Sequence, residues 1–241
     1  MNENNTDIEV ADFSGDRILF EDNHYIAVNK NCGEIVQADK TGDESLVETV
    51  KQFIRERDGK PGRVFLEVTH RIDRPVSGVV MFAKTSKGLT RMNNLFQEGL
   101  ITKKYWAIVK NQPPSESQTL VHYLLRDNKK NKSFVYNREV HGSKLAKLKY
   151  ELVGRTQSYY LLVVDLITGR HHQIRAQLSK IGCPIRGDLK YGYPRSNPDG
   201  GIDLHSRIFA FTHPVSGVEV KIVAPPPKDT LWDEFLLLGL E

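Results

Sequence analysis

A single acid flanked by cations stands in the stretch Val68-Thr69-His70-Arg71-Ile72-Asp73-Arg74-Pro75-Val76-Ser77-Gly78. Asp73 is the acid, Arg71 and Arg74 lie beside it, and Pro75 fixes the chain direction just after it. A carboxylate on a stiff loop among guanidinium groups stays ionised and can act as a nucleophile towards a cleft. The same residues read equally well as a turn whose acid pairs with a neighbouring arginine. A second polar cluster, Thr168-Gly169-Arg170-His171-His172-Gln173-Ile174-Arg175, has no packing explanation. Its adjacent histidines, placed on a helix, would point about 100° apart and could not easily share a metal ion. No His-x-x-x-His or Cys-x-x-Cys spacing and no Gly-x-Ser-x-Gly elbow occurs, so metal-site and serine-hydrolase chemistry lack their usual residues. A glycosidase would need a second acid set in a motif of its own, and none stands out.

These side chains need a scaffold. Short apolar runs at Val64–Val68 and Val79–Ala83 predict buried strands on either side of Asp73, with Ser77-Gly78 as a turn. Residues 17–30 read as a hairpin. Ser45 and Glu48 form a capping box opening a helix with Leu46, Val47, Val50, Phe53 and Ile54 inward. Ser86 caps a second helix that Gly99 closes. Thr102–Val109 is a strand with Tyr105, Ala107 and Val109 on one face and Trp106 and Ile108 on the other. Residues 120–125 and 133–137 form a hairpin, residues 148–152 alternate, and 159–166 reads as a central strand. Ile174, Leu178 and Ile181 make the apolar stripe of a third helix, with Arg175 off that stripe. The loop from Gly187 to Gly192 reads as fold punctuation. Two more strands and a final helix from Thr230 complete an α+β fold: a mixed, mostly antiparallel β-sheet with flanking helices. No βαβαβ regularity or glycine-rich phosphate loop appears, which argues against a nucleotide-cofactor fold.

The chain has 241 residues, enough for one domain over 17–241 behind a disordered or extended lead-in over 1–16. No apolar run approaches the roughly 20 residues of a membrane span. The acidic, polar start is not a signal peptide, and Cys32 and Cys183 fit reduced thiols, so a cytoplasmic location is expected. Net charge is +4 but uneven: residues 126–149 carry eight Lys or Arg against two acids. Phe134, Tyr136, His141 and Tyr150 are interleaved there, a mixture suited to phosphates and bases, although a solvated lysine face would look the same.

His70-Arg71-Ile72-Asp73-Arg74, followed by Ser77-Gly78 and a strand ending Ala83-Lys84-Thr85, resembles the signature of the RluA-type pseudouridine synthases. Lys104-Tyr105 with Ala107-Ile108-Val109, and Thr168-Gly169-Arg170 with His172-Gln173-Ile174-Arg175, match the same family in the same order. Gly187-Asp188, Tyr191-Gly192, Phe211, His213-Pro214 and Ala224-Pro225 match its C-terminal turns, and residues 18–30 its first strand pair. The resemblance covers about residues 17–228. The chain departs from the family with Ile72 in place of Leu, with Pro75-Val76 after the acid, and with His171 where Thr, Ser or Arg is usual.

The resemblance implies an isomerase that converts uridine in RNA to pseudouridine by base flipping, with no cofactor and no metal. Asp73 would be the nucleophile, Arg175 its partner, Tyr105 the ring stacked on the uracil, and Arg71 a ligand of the flipped nucleotide. The strands around Val79 and Leu162 would wall the cleft. The expected partner is a structured ribosomal or transfer RNA stem-loop, the expected state a monomer. Some sixteen residues before the first strand leave no room for the S4-type RNA-binding module of many relatives, so a stand-alone catalytic domain is expected. The alternative is a non-catalytic RNA-binding protein on the same fold.

Overall fold

In the computed structural model, residues 13–38 and 42–239 are described. Most of the expected lead-in therefore lies outside the described residues, but Phe13 is buried and packs edge-on against Phe53, with ring centroids 5.2 Å apart.

One sheet organises the molecule, and alternation along its strands decides what packs on each face. In chain order its strands are β1 (Ile18–Glu21), β2 (Tyr25–Lys30), β3 (Glu67–Val68), β4 (Ser77–Ala83), β5 (Thr102–Val109), β6 (Ser117–Asp127), β7 (Lys132–Tyr136), β8 (Lys144–Arg155), β9 (Tyr160–Leu166), β10 (Leu204–Thr212) and β11 (Glu219–Val223). In space the order is β1-β2-β4-β10-β5-β9-β8-β6-β7, with β11 beside β10 and β3 beside β4. Among the strand pairs of the described residues only β4–β10 is parallel, and it joins just Ser77 to His205 and Gly78 to Ser206.

The two faces carry different helices. Ile26, Val28, Val80 and Phe82 share a core with Leu46, Val47, Val50 and Ile54 of helix α1 (Leu46–Arg57). Tyr25, Ala27, Val79 and Met81 face Met92, Leu95 and Phe96 of helix α2 (Ser86–Glu98). Over the other half of the sheet, Tyr105, Ala107, Leu148, Tyr150 and Leu162 pack on Ile174 and Leu178 of helix α3 (Gln173–Lys180). Behind them Trp106, Ile108 and Leu161 meet Trp232 and Phe235 of helix α4 (Thr230–Leu236). The expected α+β class, the hairpins and the face assignment of residues 102–109 are borne out.

Several local expectations change. Val64–Val68 is not a buried strand: Phe65 is exposed and only Glu67 and Val68 pair with β4. Ser77-Gly78 is no turn but the start of β4. Gly78 has φ 111°, and a Cβ there would lie 2.3 Å from the carbonyl oxygen of Ser206, so the β4–β10 approach requires glycine. Ser45 precedes α1 but makes no side-chain cap, and its hydroxyl is buried without a partner. Thr85 rather than Ser86 caps α2, accepting from the amide of Gly88. Val79 itself faces the α2 side, away from Leu162, and it is its neighbours Val80 and Phe82 that lie on the Leu162 side of the sheet.

Candidate active site

Asp73 lies between β3 and β4 on the face that carries α1 and α3. The backbone around it is anchored carbonyl by carbonyl. The amide of Val76 donates to the carbonyl of Asp73 at 3.0 Å, that of Gly33 to Arg74 at 2.9 Å, and that of Ile202 to Pro75 at 3.0 Å. Lys30 supplies the rest. Its ammonium, at the inward end of β2, donates to the carbonyls of Asn31, Arg74 and Val76 at 2.8, 3.0 and 2.7 Å. Burial draws its pKa down to about 8, against the opposing charges of Glu34 and Asp73. Pro75 alone does not make the loop rigid; four consecutive anchored carbonyls do.

The partner of Asp73 comes from far along the chain. Arg175 Nη1 donates to Asp73 Oδ2 at 2.9 Å, across 102 residues of sequence. Arg74, the sequence neighbour that could have taken this role, instead pairs with Asp43 at 2.7 Å. The other edge of the Arg175 guanidinium is a fork on Asp188, with Nε to Oδ2 at 2.7 Å and Nη2 to Oδ1 at 2.9 Å. Side-chain exposure is 5% for Arg175 and 1% for Asp188, so this is a buried charge pair with bidentate geometry. Burial would lower the Arg175 pKa, but the two carboxylates outweigh it and hold the group above its ordinary value.

Helix α3 is aimed by the polar residues in front of it. Gln173 Oε1 accepts from the Thr168 hydroxyl at 2.7 Å and from the Arg170 amide at 2.9 Å. Its Nε2 donates to the Lys147 carbonyl on β8 at 3.1 Å. His172, just before it, has φ 54°, a left-handed conformation uncommon outside glycine though commoner for histidine than for most residues. His171 and His172 are thus not on the helix. They stack, centroids 3.7 Å apart, which corrects the expectation of side chains diverging by a helical step. His172 Nε2 stands 3.6 Å from Asp73 Oδ2. Burial, with the Arg175 cation next in weight, pushes the His172 pKa down to about 2. The imidazole is therefore neutral, and this contact is no ion pair.

Tyr105 is buried on β5, opposite Ser206 of β10. Burial raises its hydroxyl to a pKa of about 12, and the charge of Asp73 acts on it in the same direction. The fold thus brings Asp73, Tyr105 and Arg175 into one cluster, with Ile72, Val76 and Leu162 in the apolar core beside them. Arg71 is on the same loop but exposed, with no partner among the described residues. Sequence reasoning missed Lys30, His172, Asp188 and Tyr191. The Gly187–Gly192 loop, read as punctuation, supplies both the second acid on Arg175 and the Tyr191 ring 5.2 Å beneath the guanidinium. Among the described residues no group of three His, Cys, Asp or Glu could hold a metal ion.

The β6–β7 hairpin reaches this cluster at its tip. The amide of Ser133 donates to the Tyr191 hydroxyl at 2.8 Å, and Lys190 Nζ donates to the Asn131 carbonyl at 3.0 Å. Phe134 and Tyr136 are exposed on the hairpin, and Lys130 lies 5.8 Å over the Phe134 ring. Tyr150, grouped with them from sequence, is fully buried and offers no stacking surface. The arrangement as a whole is an anchored carboxylate, a buried cation fixing one of its oxygens, and a phenol ring within one apolar-backed recess.

Over residues 24–180 the sequence matches the family described as RNA pseudouridylate synthase. The chain belongs to the RNA pseudouridylate synthase family. An uncharacterised RNA pseudouridine synthase of Bacillus subtilis is 33% identical, covering 88% of this chain and 69% of the relative. Ribosomal large subunit pseudouridine synthase C of Rickettsia prowazekii is 30% identical over 88% of this chain and 68% of its own length. The Escherichia coli protein of the same name is 29% identical, with 87% and 66% covered. The chain thus spans about two thirds of the length of these relatives. Among solved structures, human RNA pseudouridylate synthase domain containing 4 superposes with a TM-score of 0.76 at 23% identity, over 92% of this chain and 93% of that one. That likeness supports the fold. The RluA-type resemblance and an isomerase activity on RNA uridine are borne out by the family and the named relatives.

Proposed function

We propose that Asp73 is the nucleophile of this pseudouridine synthase and that the enzyme acts as a cytoplasmic monomer, without a cofactor, on structured ribosomal RNA. One observation carries the reading: Arg175 reaches Asp73 across 102 residues at 2.9 Å, joining the two most polar motifs of the chain. In the reaction the N1–C1′ bond of uridine breaks, the base turns, and C5 bonds to C1′. The C5 proton is lost and N1 regains one, so nothing enters or leaves overall. The site must hold an ionised carboxylate near the ribose and base, and keep the detached uracil away from water. Asp73 supplies the carboxylate, with Arg175 favouring its charged form. Tyr105 stacks on the uracil, protonated across the physiological range. Arg71, exposed beside the nucleophile, binds the phosphate of the extruded nucleotide or fills the space it leaves. The basic hairpin, with exposed Phe134 and Tyr136, takes flanking RNA. The ribosomal target follows the printed names of the Rickettsia and Escherichia relatives. A binder without chemistry would have no use for an acid anchored in this way.

The test uses uridine-labelled RNA digested to nucleosides after incubation. Wild type yields pseudouridine; Asp73→Asn yields unchanged uridine while binding RNA with an affinity within about twofold of wild type. Residual turnover above a few per cent would remove Asp73 from the nucleophile role. Pseudouridine maps of cells with and without the gene separate ribosomal from transfer RNA targets.

A further inference from the structure

We infer that His172 and Tyr191 are a positioning pair for the Asp73 carboxylate, fixing Oδ2 together with Arg175 so that Oδ1 is the oxygen that meets the substrate. The inference rests on Asp73 being the nucleophile. Both polar contacts of the Asp73 side chain, Arg175 Nη1 at 2.9 Å and His172 Nε2 at 3.6 Å, converge on Oδ2. Among the described residues none pairs with Oδ1. A carboxylate held through one oxygen keeps its rotamer and leaves the other free for chemistry.

The imidazole is itself held from several directions. Tyr191 is buried, and its hydroxyl accepts the backbone N–H of Ser133 at 2.8 Å. A buried phenol needs an acceptor for its own proton, and His172 Nδ1 lies 3.0 Å away. A neutral ring that accepts at Nδ1 carries its proton on Nε2, the atom facing Asp73. His171 stacked at 3.7 Å and Tyr191 set edge-on at 5.6 Å restrict ring rotation. The left-handed backbone of His172 is strain of the kind that persists where surrounding structure over-determines it. The 3.6 Å separation exceeds a hydrogen bond, as is common in substrate-free sites, where such contacts tighten in the reactive complex. The chain of contacts runs from the β7 backbone through Tyr191 and His172 to the carboxylate.

Two substitutions at one position separate positioning from mere structure. Asn tolerates a positive φ better than Gln, but its amide reaches only as far as imidazole Nδ1. Gln reaches the Nε2 position. Single-turnover rates at saturating RNA, RNA Kd and Tm are measured for His172→Asn, His172→Gln, Tyr191→Phe and Asp73→Asn. We expect His172→Asn to slow turnover about 10- to 100-fold with Kd within about twofold. His172→Gln should stay within about fivefold of wild type, and Tyr191→Phe should fall about 3- to 10-fold. A purely structural role would rank the variants by Tm, with Asn above Gln. A wild-type rate for His172→Asn or Tyr191→Phe, or a Gln variant as slow as the Asn one, overturns the pair. An active Asp73→Asn enzyme instead removes the nucleophile reading beneath it, so the two failures are distinct.

Discussion

Replacing Asp188 with Asn tests the buried pair that holds Arg175 in place. Asp188 and Arg175 are 1% and 5% exposed, and both carboxylate oxygens are occupied by the guanidinium fork. Asn presents one oxygen and one NH2, so one arm of the fork faces a donor and the guanidinium keeps only Asp73 as an anionic partner. Leaving a buried charge wholly uncompensated costs about 3–5 kcal/mol; Asp73 still offsets part of the Arg175 charge, so the cost here is about 2–4 kcal/mol. For a chain of this size each kcal/mol lowers Tm by about 2–4 °C, so the expected drop is about 4–16 °C. Turnover should fall as well, because Arg175 is then free to swivel onto Asp73 and draw it off its productive geometry. We expect a loss of about 10- to 100-fold at a temperature well below the variant's transition, with RNA affinity nearly unchanged. Circular dichroism melts and single-turnover pseudouridine formation on the same preparations supply both numbers. A Tm within about 2 °C of wild type, or full turnover, would refute the claim that Asp188 aims Arg175.

Lys30→Met removes three hydrogen bonds, two of them to the loop that carries Asp73. It should cost about 1–3 kcal/mol in urea titrations and a larger share of activity. The pH dependence has a definite sign: the folded pKa is lowered from 10.5 to about 8, so between those values the unfolded chain holds a proton the native one has shed. Stability due to Lys30 therefore rises with pH across that window, and the wild-type minus variant difference should show the rise; a flat difference sinks it. Arg71→Ala, at an exposed position with no partner among the described residues, should leave Tm unchanged. It should weaken RNA binding and reduce the salt slope of log Kd by about 0.7–0.9; an unaltered slope would remove Arg71 from the RNA contacts.

The sequence held most of the strands because their alternation is local, and Tyr105 with Ala107 and Val109 on one face was legible for that reason. Asp73 and Arg175 were legible only through their motifs, since nothing local says that residues 102 apart will touch. Lys30 left a readable trace: a cation at an inward position of an apolar strand must find polar partners. Asp188 and Tyr191 left less, because a Gly-Asp-x-x-Tyr-Gly loop looks like turn chemistry whether or not it faces a site. The failed strand at Val64–Val68 shows the opposite limit. Its run was apolar, but β2 fills one edge of β4, and on the other edge β10 takes Ser77 and Gly78, so β3 meets β4 only at Phe82 and Ala83. His172 was unreadable in detail, since its role depends on a backbone angle that no side-chain pattern announces.

Strand β10 has a consequence for how the molecule assembles. It is wedged between β4 and β5, so in the ladder order the segment 18–83 and the segment 102–166 meet only through a strand made after both. Asp73 belongs to the first segment and Tyr105 to the second. Neither segment, folding by itself on the emerging chain, can juxtapose them. Closure of the sheet by residues 204–212 is a non-local and therefore slow event, and the same event completes the recess. On this topology the recess that holds the anchored acid opposite its phenol is complete only once residues 204–212 have joined the two halves of the sheet.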